Sequence, residues 1–442
     1  MDYHELCQRY YAGELSEEDM RAWRLERLDV VLRHVREKSD FYRRHLPDDV
    51  PFTGLPFTTK ADLRREMHAV LSGDVSEAAI YYETTGTTGA PTPCPRSARD
   101  VEWSNLHVER SWRHMFARHF GDRMPVVGLM GPSELYAFGD TFGEVTQSMG
   151  ACHAKIWPES SRVGFAKALR LMKELNVEVI ACAPTLCLNL AKAALYHGYE
   201  LSDFNVKMFL VLGEICTPEF AANVKSIWGA DVLPGLYGSQ EALAIATGCV
   251  ENHLHLSDPN YLAEVIDPDT LEPSGDTGEL CLTMLIDGIK PLIRYRTGDL
   301  VRVGGTCACG LPGTPIEVIG RVDDRIALGG GQFQPAEIES AVLHGVTGCL
   351  GYQVEIDPGD RVTVRLDLLD GDESVVRHGI VERLRDRFAV GADIAVDAEL
   401  DPITNTGALV SWKAARIKDN RTGPDRVVEA ARTAAARHSY TT

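Results

Sequence analysis

The first half of the chain alternates between uninterrupted apolar runs and segments with helical periodicity. Three apolar runs, at 125–131, 177–183 and 206–213, predict buried strands, because a strand covered on both faces has no polar side. A helical pattern over 162–175 lies between two of these runs. The alternation predicts an α/β domain with a largely parallel sheet.

The N-terminal region carries a longer helical pattern, which predicts one helix over 15–46. Leu25, Leu28, Leu32 and Val35 recur at helical spacing. Ser16 is the predicted N-cap, and the acidic residues that follow it suit the positive end of the helix dipole.

The pattern changes after about residue 260. Short strand-like runs at 261–267, 278–285 and 291–295 are separated by Asp, Pro and Gly. They predict a β-rich subdomain over about 260–322.

The C-terminal part reads as a smaller α+β unit. A helix is predicted to begin near Pro335, and the run 361–369 is predicted to form a strand. The boundary is predicted in the GRVDD segment, so the two domains are 1–322 and 323–442.

Composition narrows the class of protein. The 442 residues are 44% hydrophobic and 25% charged, which is typical of a globular chain with two or more domains. The net charge of −19 argues against a nucleic-acid partner. No apolar run approaches the roughly 18 residues of a membrane helix, and the N-terminus lacks a signal-peptide pattern. We therefore expect a soluble cytoplasmic protein, whose eleven cysteines are buried thiols, metal ligands or nucleophiles.

A stretch rich in threonine and glycine, ETTGTTGAPT at 83–92, is the first candidate for binding chemistry. Its backbone N–H groups and hydroxyls are typical of a nest that closes over phosphate oxygens. It is not a Walker-type loop, because no Gly-Lys-Ser/Thr follows. The alternative is a surface turn. The candidate phosphate-binding residues are Thr84, Thr85, Gly86, Thr87, Thr88 and Gly89.

Two later segments carry residues suited to the rest of a nucleotide. In YRTGDL, Asp299 could accept hydrogen bonds from both ribose hydroxyls, and the alternative is a solvated turn residue. In LYGSQEA, Tyr237 offers a flat face for adenine and Glu241 offers a carboxylate for Mg²⁺. The alternatives are a core-edge aromatic for Tyr237 and a charge at a helix N-terminus for Glu241.

Six segments, in one order along the chain, resemble the acyl-adenylate-forming superfamily and, within it, the phenylacetate–CoA ligase family. They are ETTGTTGAPT, LGE (212–214), LYGSQEA, YRTGDL, GRVDDRI (320–326) and TGALVSWKAARIKDNR (406–421). Three more segments are similar to the ligase family specifically, namely LPFTTKADLR (55–64), FYRRHL (41–46) and CACG (307–310). The likeness runs from about residue 25 to about residue 421.

The resemblance implies a large N-terminal domain and a small mobile C-terminal lid that turns about a hinge at Asp323. It implies that Arg321 lies beside the ribose and phosphate, and that Gly330 faces the channel of the thiol donor. Tyr237 would stack on adenine. By resemblance, the nucleotide and the thiol donor are bound by the phosphate loop together with Gly213, Glu214, Tyr237, Gly238, Ser239, Gln240, Asp299 and Gly330. The implied catalytic residues are Glu241, Arg321 and Lys413.

Three positions depart from the family pattern. Ala90 stands where the phosphate loop usually has lysine, and Gln240 stands where Thr or Ser usually precedes the metal-binding glutamate. The catalytic C-terminal lysine normally follows a glycine. Alignment on the earlier Thr-Gly pair places Ala408 there, whereas alignment on AARIKDNR places Lys413, which we favour. A lysine near the α-phosphate would stabilise developing charge, and the alternative for Lys413 is an ordinary surface lysine.

Cysteines and histidines form a second pattern. Cys307 and Cys309 stand in a Gly-rich hairpin, and Cys249 and His255 occupy positions where the family has Cys and His. Three thiolates and one imidazole predict a tetrahedral structural zinc site. The alternatives are buried free thiols or a site that has lost its metal, and His253 is the competing imidazole.

The acid-binding region and the reaction complete the prediction. Tyr136, Phe138 and Phe142 lie in a region that helps to line the aryl pocket in the family, and the alternative is that they are core aromatics. The sequence thus predicts activation of an aromatic carboxylic acid with ATP and Mg²⁺, followed by transfer to a thiol, with coenzyme A as first choice. The phosphopantetheine thiol of a carrier protein, an amine acceptor, and a nucleotide binder without turnover are the alternatives. A biosynthetic role is favoured, and a homodimer is a candidate assembly.

Overall fold

A computed structural model describes residues 2–84, 91–369, 373–396, 400 and 416–421. The chain forms two compact units, each built from several stretches. Unit 1 takes Met1–Arg123, Ser133–Met149 and Gly235–Val322, and unit 2 takes Met124–Pro132, Gly150–Pro234 and Asp323–Thr442. The chain therefore passes from one unit to the other for the last time between Val322 and Asp323.

The α-helices of the described residues are numbered in chain order. They are α1 (Tyr3–Tyr11), α2 (Glu17–Lys38), α3 (Asp40–His45), α4 (Lys60–Glu66), α5 (Ala98–Phe120), α6 (Phe138–Ser148), α7 (Gly164–Glu174), α8 (Pro184–Tyr196), α9 (Pro218–Trp228), α10 (Pro335–Leu343) and α11 (Glu373–Phe388).

The strands are numbered in the same way. They are β1 (Ile80–Glu83), β2 (Pro93–Arg96), β3 (Val127–Met130), β4 (His153–Lys155), β5 (Val179–Cys182), β6 (Met208–Val211), β7 (Asp231–Pro234), β8 (Leu236–Ser239), β9 (Leu243–Gly248), β10 (Leu254–Leu256), β11 (Tyr261–Ile266), β12 (Thr277–Met284), β13 (Tyr295–Val303), β14 (Pro315–Arg321), β15 (Ile326–Leu328), β16 (Gly331–Phe333), β17 (Cys349–Asp357), β18 (Arg361–Leu368), β19 (Ala392–Val396) and β20 (Ile417–Asp419).

Unit 1 is built on an antiparallel sheet with the strand order β11-β12-β13-β14-β10-β9-β8. The sheet starts at Leu236, upstream of the pattern change near residue 260. Its core combines Val31 and Tyr42 from the N-terminal helices with Leu280 and Leu282 from β12. The hairpin β1–β2 also belongs to this unit and flanks the threonine-rich loop.

Unit 2 contains the parallel sheet that the apolar runs predict, with the strand order β4-β3-β5-β6-β7. Strands β3, β5 and β6 are buried throughout, which is why their sequences carry no polar side. A second sheet, β19-β18-β17-β20, uses the C-terminal residues. The predicted helix at Pro335 and the predicted strand at 361–369 are confirmed as α10 and β18.

Two predicted elements are wrong. The helix over 15–46 is interrupted at Ser39, which has an extended backbone (φ −97°, ψ 122°) and whose hydroxyl accepts a hydrogen bond from the N–H of Tyr42. Ser39 therefore ends α2 and caps α3. The run 291–295 is not a strand, because β13 begins only at Tyr295. Asp299 consequently lies within a strand rather than after one.

Among the helices of the described residues, none is both long and apolar enough to cross a membrane. The predicted α/β fold class is confirmed, whereas the division into a core of 1–322 and a mobile lid of 323–442 stays a prediction.

Candidate nucleotide-binding site

The centre of the candidate site in unit 1 is a carboxylate with two partners. The hydroxyl of Tyr237, on β8, donates to Oδ2 of Asp299 at 2.7 Å. Nε of Arg321 lies 3.1 Å from Oδ1 of the same carboxylate. Asp299 on β13 and Arg321 on β14 are paired directly across the sheet. The sheet register thus brings together three residues that the sequence places in separate segments.

The local backbone explains how Asp299 is presented. Gly298 adopts a positive φ of 76°, which favours glycine, and the N–H of Asp299 donates to Oγ1 of Thr297 at 3.1 Å. The side chain of Asp299 is 21% exposed, so the alternative of a solvated turn residue is wrong. Burial raises the pKa of Asp299, although Arg321 and the Tyr237 hydroxyl act to lower it. Burial and the neighbouring Asp299 raise the pKa of Tyr237, which keeps its hydroxyl a donor.

Glu241 lies in the tight turn between β8 and β9 and is 3% exposed. Its Oε1 is 3.2 Å from Nζ of Lys60, the first residue of α4. Burial acts to raise the pKa of Glu241, but Lys60, the Glu241 backbone and Lys290 together lower it. The carboxylate is therefore ionised, as a metal ligand must be. The alternative of a helix N-terminal charge is wrong, because β9 and not a helix follows.

The turn that holds Glu241 depends on its small and polar residues. A Cβ on Gly238 would stand 2.0 Å from the carbonyl oxygen of Leu243, so only glycine fits there. Oγ of Ser239 accepts from the N–H of Ala242 at 3.1 Å. Oε1 of Gln240 accepts from the N–H of Ala137 at 3.2 Å. Gly238, Ser239 and Gln240 thus shape the turn, whatever they contribute to the nucleotide.

The phosphate loop is described only at its two ends. The N–H of Thr84 donates to the carbonyl of Thr92 at 3.2 Å, and the N–H of Thr92 donates to Oγ1 of Thr84 at 2.9 Å. This pair closes the base of the loop. The predicted phosphate-binding residues Thr85, Gly86, Thr87, Thr88 and Gly89 lie outside the described residues.

Three further predicted residues, Gly213, Glu214 and Gly330, belong to unit 2. Gly213 has a positive φ of 85°, and Glu214 is buried and accepts from Oγ1 of Thr185 at 2.7 Å. Burial raises the pKa of Glu214 against the influence of Arg416. Gly330 has a φ of 83° in the β15–β16 turn.

Two further predictions, a hinge residue and a catalytic lysine, concern the C-terminal part of the chain. Asp323 is the first residue of the last stretch of unit 2, and its role as a hinge stays a prediction. Lys413 lies outside the described residues, which resume at Arg416.

The predicted aromatic residues of the acid pocket differ in burial. Phe142 is buried on α6 and stacks on Trp112 with ring centroids 4.8 Å apart, and Phe138 meets its edge at 4.9 Å. Phe142 is thus in the core of unit 1, as the alternative interpretation had it. Phe138 and Tyr136 are half-buried, at the start of α6 and in the loop before it.

The four predicted zinc ligands converge in unit 1. One ligand atom from each of Cys249, His255, Cys307 and Cys309 lies within 4.8 Å of all the others. Nε2 of His255 is 3.4 Å from Sγ of Cys309, while its Nδ1 is 3.2 Å from the carbonyl of Gly313. An Nδ1–H bond to that carbonyl leaves Nε2 available for a metal.

The competing imidazole is also close. Nδ1 of His253 lies 3.4 Å from Sγ of Cys307, but His253 does not belong to the group whose ligand atoms meet. Sγ of Cys249 and Sγ of Cys307 are 3.7 Å apart, longer than a disulfide bond. Three thiols and one oriented imidazole fit a structural zinc ion.

A family model described as AMP-binding enzyme matches residues 32–284. The chain belongs to this family of AMP-binding enzymes.

Among relatives of this AMP-binding enzyme, the phenylacetate-coenzyme A ligase of Thermus thermophilus is 29% identical over 92% of this chain and 91% of that protein. The phenylacetate-coenzyme A ligase of Escherichia coli is 25% identical over 92% and 96%. A solved 2-hydroxyisobutyryl-CoA ligase in the postadenylation state has a TM-score of 0.77 at 19% identity, covering 96% of this chain and 93% of that one, which shows the fold alone. The predicted resemblance to the phenylacetate–CoA ligases is confirmed.

Sequence reasoning missed several charged residues around Glu241. Lys60 stands in LPFTTKADLR, which served only to identify the family, so the signal was present but not used. Arg96 donates to the carbonyls of Gln240 and Glu241, and Lys290 is fully buried. Neither of these two residues lies in any of the segments that carry the resemblance.

Proposed function

We propose that this AMP-binding enzyme activates an aromatic carboxylic acid with ATP and Mg²⁺ and transfers the acyl group to the thiol of coenzyme A. The carboxylate of the acid attacks the α-phosphorus of ATP, which forms an acyl-adenylate and releases pyrophosphate. The thiol then attacks the acyl carbon, which forms a thioester and releases AMP. The names of the relatives, phenylacetate-coenzyme A ligases, support both the aromatic acid and the thiol.

The observation that carries the proposal is the convergence of Tyr237, Asp299 and Arg321 in one sheet, with the ionised Glu241 in the adjoining turn. A carboxylate has about four acceptor positions. The Tyr237 hydroxyl and Arg321 use one on each oxygen, which leaves each oxygen able to accept from a ribose hydroxyl. Asp299 would thereby fix the nucleoside while Arg321 stays beside the phosphate.

Glu241 would hold Mg²⁺, since magnesium is usually bound by one or two carboxylates together with substrate phosphates. The ion would neutralise charge on the phosphates. The present partner of Glu241 is Lys60, whose side chain is 38% exposed and is therefore able to move aside. Lys413, by resemblance, would stabilise the negative charge that develops at the α-phosphorus.

The four converging sulfur and nitrogen ligands support a structural zinc ion, held by Cys249, His255, Cys307 and Cys309. A tetrahedral site filled by four protein ligands leaves no position for substrate. The ion would fix the loop between β13 and β14 onto β10 and the loop that precedes it, in the sheet that carries Asp299.

The test is acid-dependent exchange of pyrophosphate into ATP over a panel of benzoates, phenylacetates and aliphatic acids. The proposal predicts exchange with an aromatic acid, and then thioester formation with coenzyme A. Tight ATP binding without exchange on any acid would instead identify a nucleotide binder. Exchange followed by product only with a carrier protein or an amine would retain the adenylation and replace the acceptor. Lys413→Ala should abolish exchange, and unchanged exchange would refute the assignment of this lysine.

A further inference from the structure

Lys290 is a fully buried lysine in the loop between β12 and β13 of unit 1. Its Nζ forms no hydrogen bond within the described part of the chain. Lysine is almost never fully buried without a partner, because removing an ammonium from water is costly. A buried lysine of this kind either has a function that needs its charge, or its cost in free energy is offset by the packing of its side chain.

The position of Lys290 is fixed by the same side chain that fixes Glu241. Arg96, at the end of β2, donates from Nη1 to the carbonyl of Lys290 at 3.3 Å and from Nη2 to the carbonyl of Gln240 at 2.6 Å. It also donates to the carbonyl of Glu241. One buried guanidinium therefore joins the Lys290 loop to the turn that carries the proposed metal ligand.

The strand that carries Arg96 begins immediately after the phosphate loop. Thr92, which closes the base of that loop with Thr84, directly precedes β2. Cys94 on β2 is buried, and burial raises the pKa of its thiol while the nearby charge of Lys290 acts to lower it. The Thr92 hydroxyl is a further buried group without a partner among the described residues. Arg96 and Cys94 thus connect Lys290 to both elements proposed to bind the phosphates, namely the Glu241 turn and the base of the phosphate loop.

The charges around this point are unbalanced. Lys60 pairs with Glu241, Arg321 pairs with Asp299, and Arg96 adds a buried guanidinium. Burial lowers the pKa of Lys290 to about 8, so its ammonium is still mostly protonated at neutral pH. Asp100 is a further fully buried carboxylate beside the Lys290 loop, since its Oδ2 accepts from the N–H of Ile289 at 3.4 Å. The group is therefore formed by the cations Lys60, Arg96, Lys290 and Arg321 and the carboxylates Glu241, Asp299 and Asp100, so that its cations outnumber its carboxylates by one in a chain whose net charge is −19.

Building on the proposed function, we propose that Lys290 is a positioning residue that supplies buried positive charge for the triphosphate end of ATP. It acts through Glu241 and the base of the phosphate loop, without contacting substrate. The charge of Lys290 matters because Ala90 stands where the phosphate loop usually has lysine, so the loop lacks that cation. In an environment of low effective dielectric constant, such a charge acts over several ångströms.

The experiment compares the binding of Mg²⁺-ATP and AMP by calorimetry, without acid, in the unmodified chain and in Lys290→Met. We expect the Kd for ATP to rise roughly tenfold and the Kd for AMP to change much less, because AMP lacks the β- and γ-phosphates. Lys192→Met is the matched control, since Lys192 is also buried (9% exposed) but pairs with Asp367 in unit 2. Lys192→Met should leave the ratio of the Kd for ATP to the Kd for AMP unchanged.

Each possible result of this comparison either supports or overturns the inference about Lys290. Equal loss of ATP and AMP binding would mean that Lys290 supports the fold or the adenosine pocket, and unchanged binding of both would mean that its charge is irrelevant; either overturns the inference. If Lys290→Met does not fold, Lys290→Gln must show the same selective loss of ATP binding, and a gain in ATP affinity would also overturn the inference. Because acid-dependent exchange is measured in the unmodified chain, the proposed function can stand while this inference fails.

Discussion

Asp299 offers the sharpest test of the nucleotide site, because its two oxygens already have defined partners. Asp299→Asn keeps the size and planarity of the side chain and removes its charge. Its amide oxygen still accepts from either Tyr237 or Arg321, but the amide NH₂ then faces the other donor. The substitution therefore alters the charge and the number of acceptors while leaving the packing in place.

The size of the expected effect follows from the hydrogen bonds lost. A hydrogen bond to a charged group contributes about 1.5–3 kcal/mol. One ribose hydroxyl loses its acceptor and the other bonds to a neutral oxygen instead of a carboxylate. We expect a loss of about 2–4 kcal/mol, which corresponds to a decrease of roughly 30- to 1,000-fold in kcat/KM for ATP.

The assay is pyrophosphate exchange with ATP, 2′-deoxyATP and 3′-deoxyATP, in both proteins. In the unmodified chain each missing hydroxyl should slow the exchange. In Asp299→Asn the same omissions should cost much less, because the interaction is already lost, and the difference is the coupling energy of a mutant cycle. Equal penalties for the deoxy substrates in both proteins would refute Asp299 as the ribose acceptor, even if Asp299→Asn lowered the rate.

Stability provides an independent control for the same variant. Burial raises the pKa of Asp299 in the folded state, against the influence of Arg321 and Tyr237. An ionised Asp299 therefore costs the folded state stability at a pH above its folded pKa, and this cost is absent at a pH below the unfolded value. Asparagine carries no such cost, so the Tm of Asp299→Asn at neutral pH should be unchanged or higher. A large decrease in Tm would show that the ion pair with Arg321 stabilises the fold.

Three further predictions test other parts of the molecule. Glu241→Gln should raise the Mg²⁺ concentration needed for half-maximal exchange about tenfold or more, since a charged ligand is lost; an unchanged Mg²⁺ titration would refute its role. Cys307→Ser should lower the zinc content measured by elemental analysis and lower the Tm, whereas Cys152→Ser, at an exposed cysteine, should change neither. Burial raises the pKa of Glu339 to about 7, so its ionisation costs stability as the pH rises from about 4.5 through 7. Glu339→Gln should therefore flatten the Tm of the protein against pH in that range, and parallel curves would contradict this.

The sequence predicted the parallel sheet of unit 2 because burial on both faces leaves an uninterrupted apolar run. Strands β3, β5 and β6 show this directly. The interruption of the predicted helix at Ser39 was missed because the apolar spacing continues on both sides of it. A serine within a helical pattern does not by itself indicate an N-cap. The run 291–295 failed as a strand for a related reason. It is apolar because Leu292 and Ile293 are buried in the core of unit 1, although neither residue belongs to a strand.

The candidate site also contains features that local sequence chemistry indicates and features that only the folded chain creates. Tyr237, Glu241 and Asp299 could be selected as candidates because each residue type suits one part of a nucleotide. The contacts of Lys60 and Arg96 with the Glu241 turn could not be predicted, since they join segments more than a hundred residues apart in the chain, although Lys60 itself stands in a segment that carries the family resemblance. Sequence patterns report periodicity and local chemistry, whereas the charge balance of a site arises only when the chain is folded.

If ATP binds at the proposed site, that balance explains how an acidic protein accommodates it there. A surface charge is screened over about 8 Å at physiological ionic strength, so the net charge of −19 acts only weakly on a ligand that is already bound. Buried charges are screened far less. Arg96 and Lys290 have no solvent exposure, and Arg96 donates to the carbonyls of both Lys290 and Glu241. At the proposed site, the field on the phosphates would therefore be set by a few fixed interior charges, whose burial the folding of unit 1 must sustain.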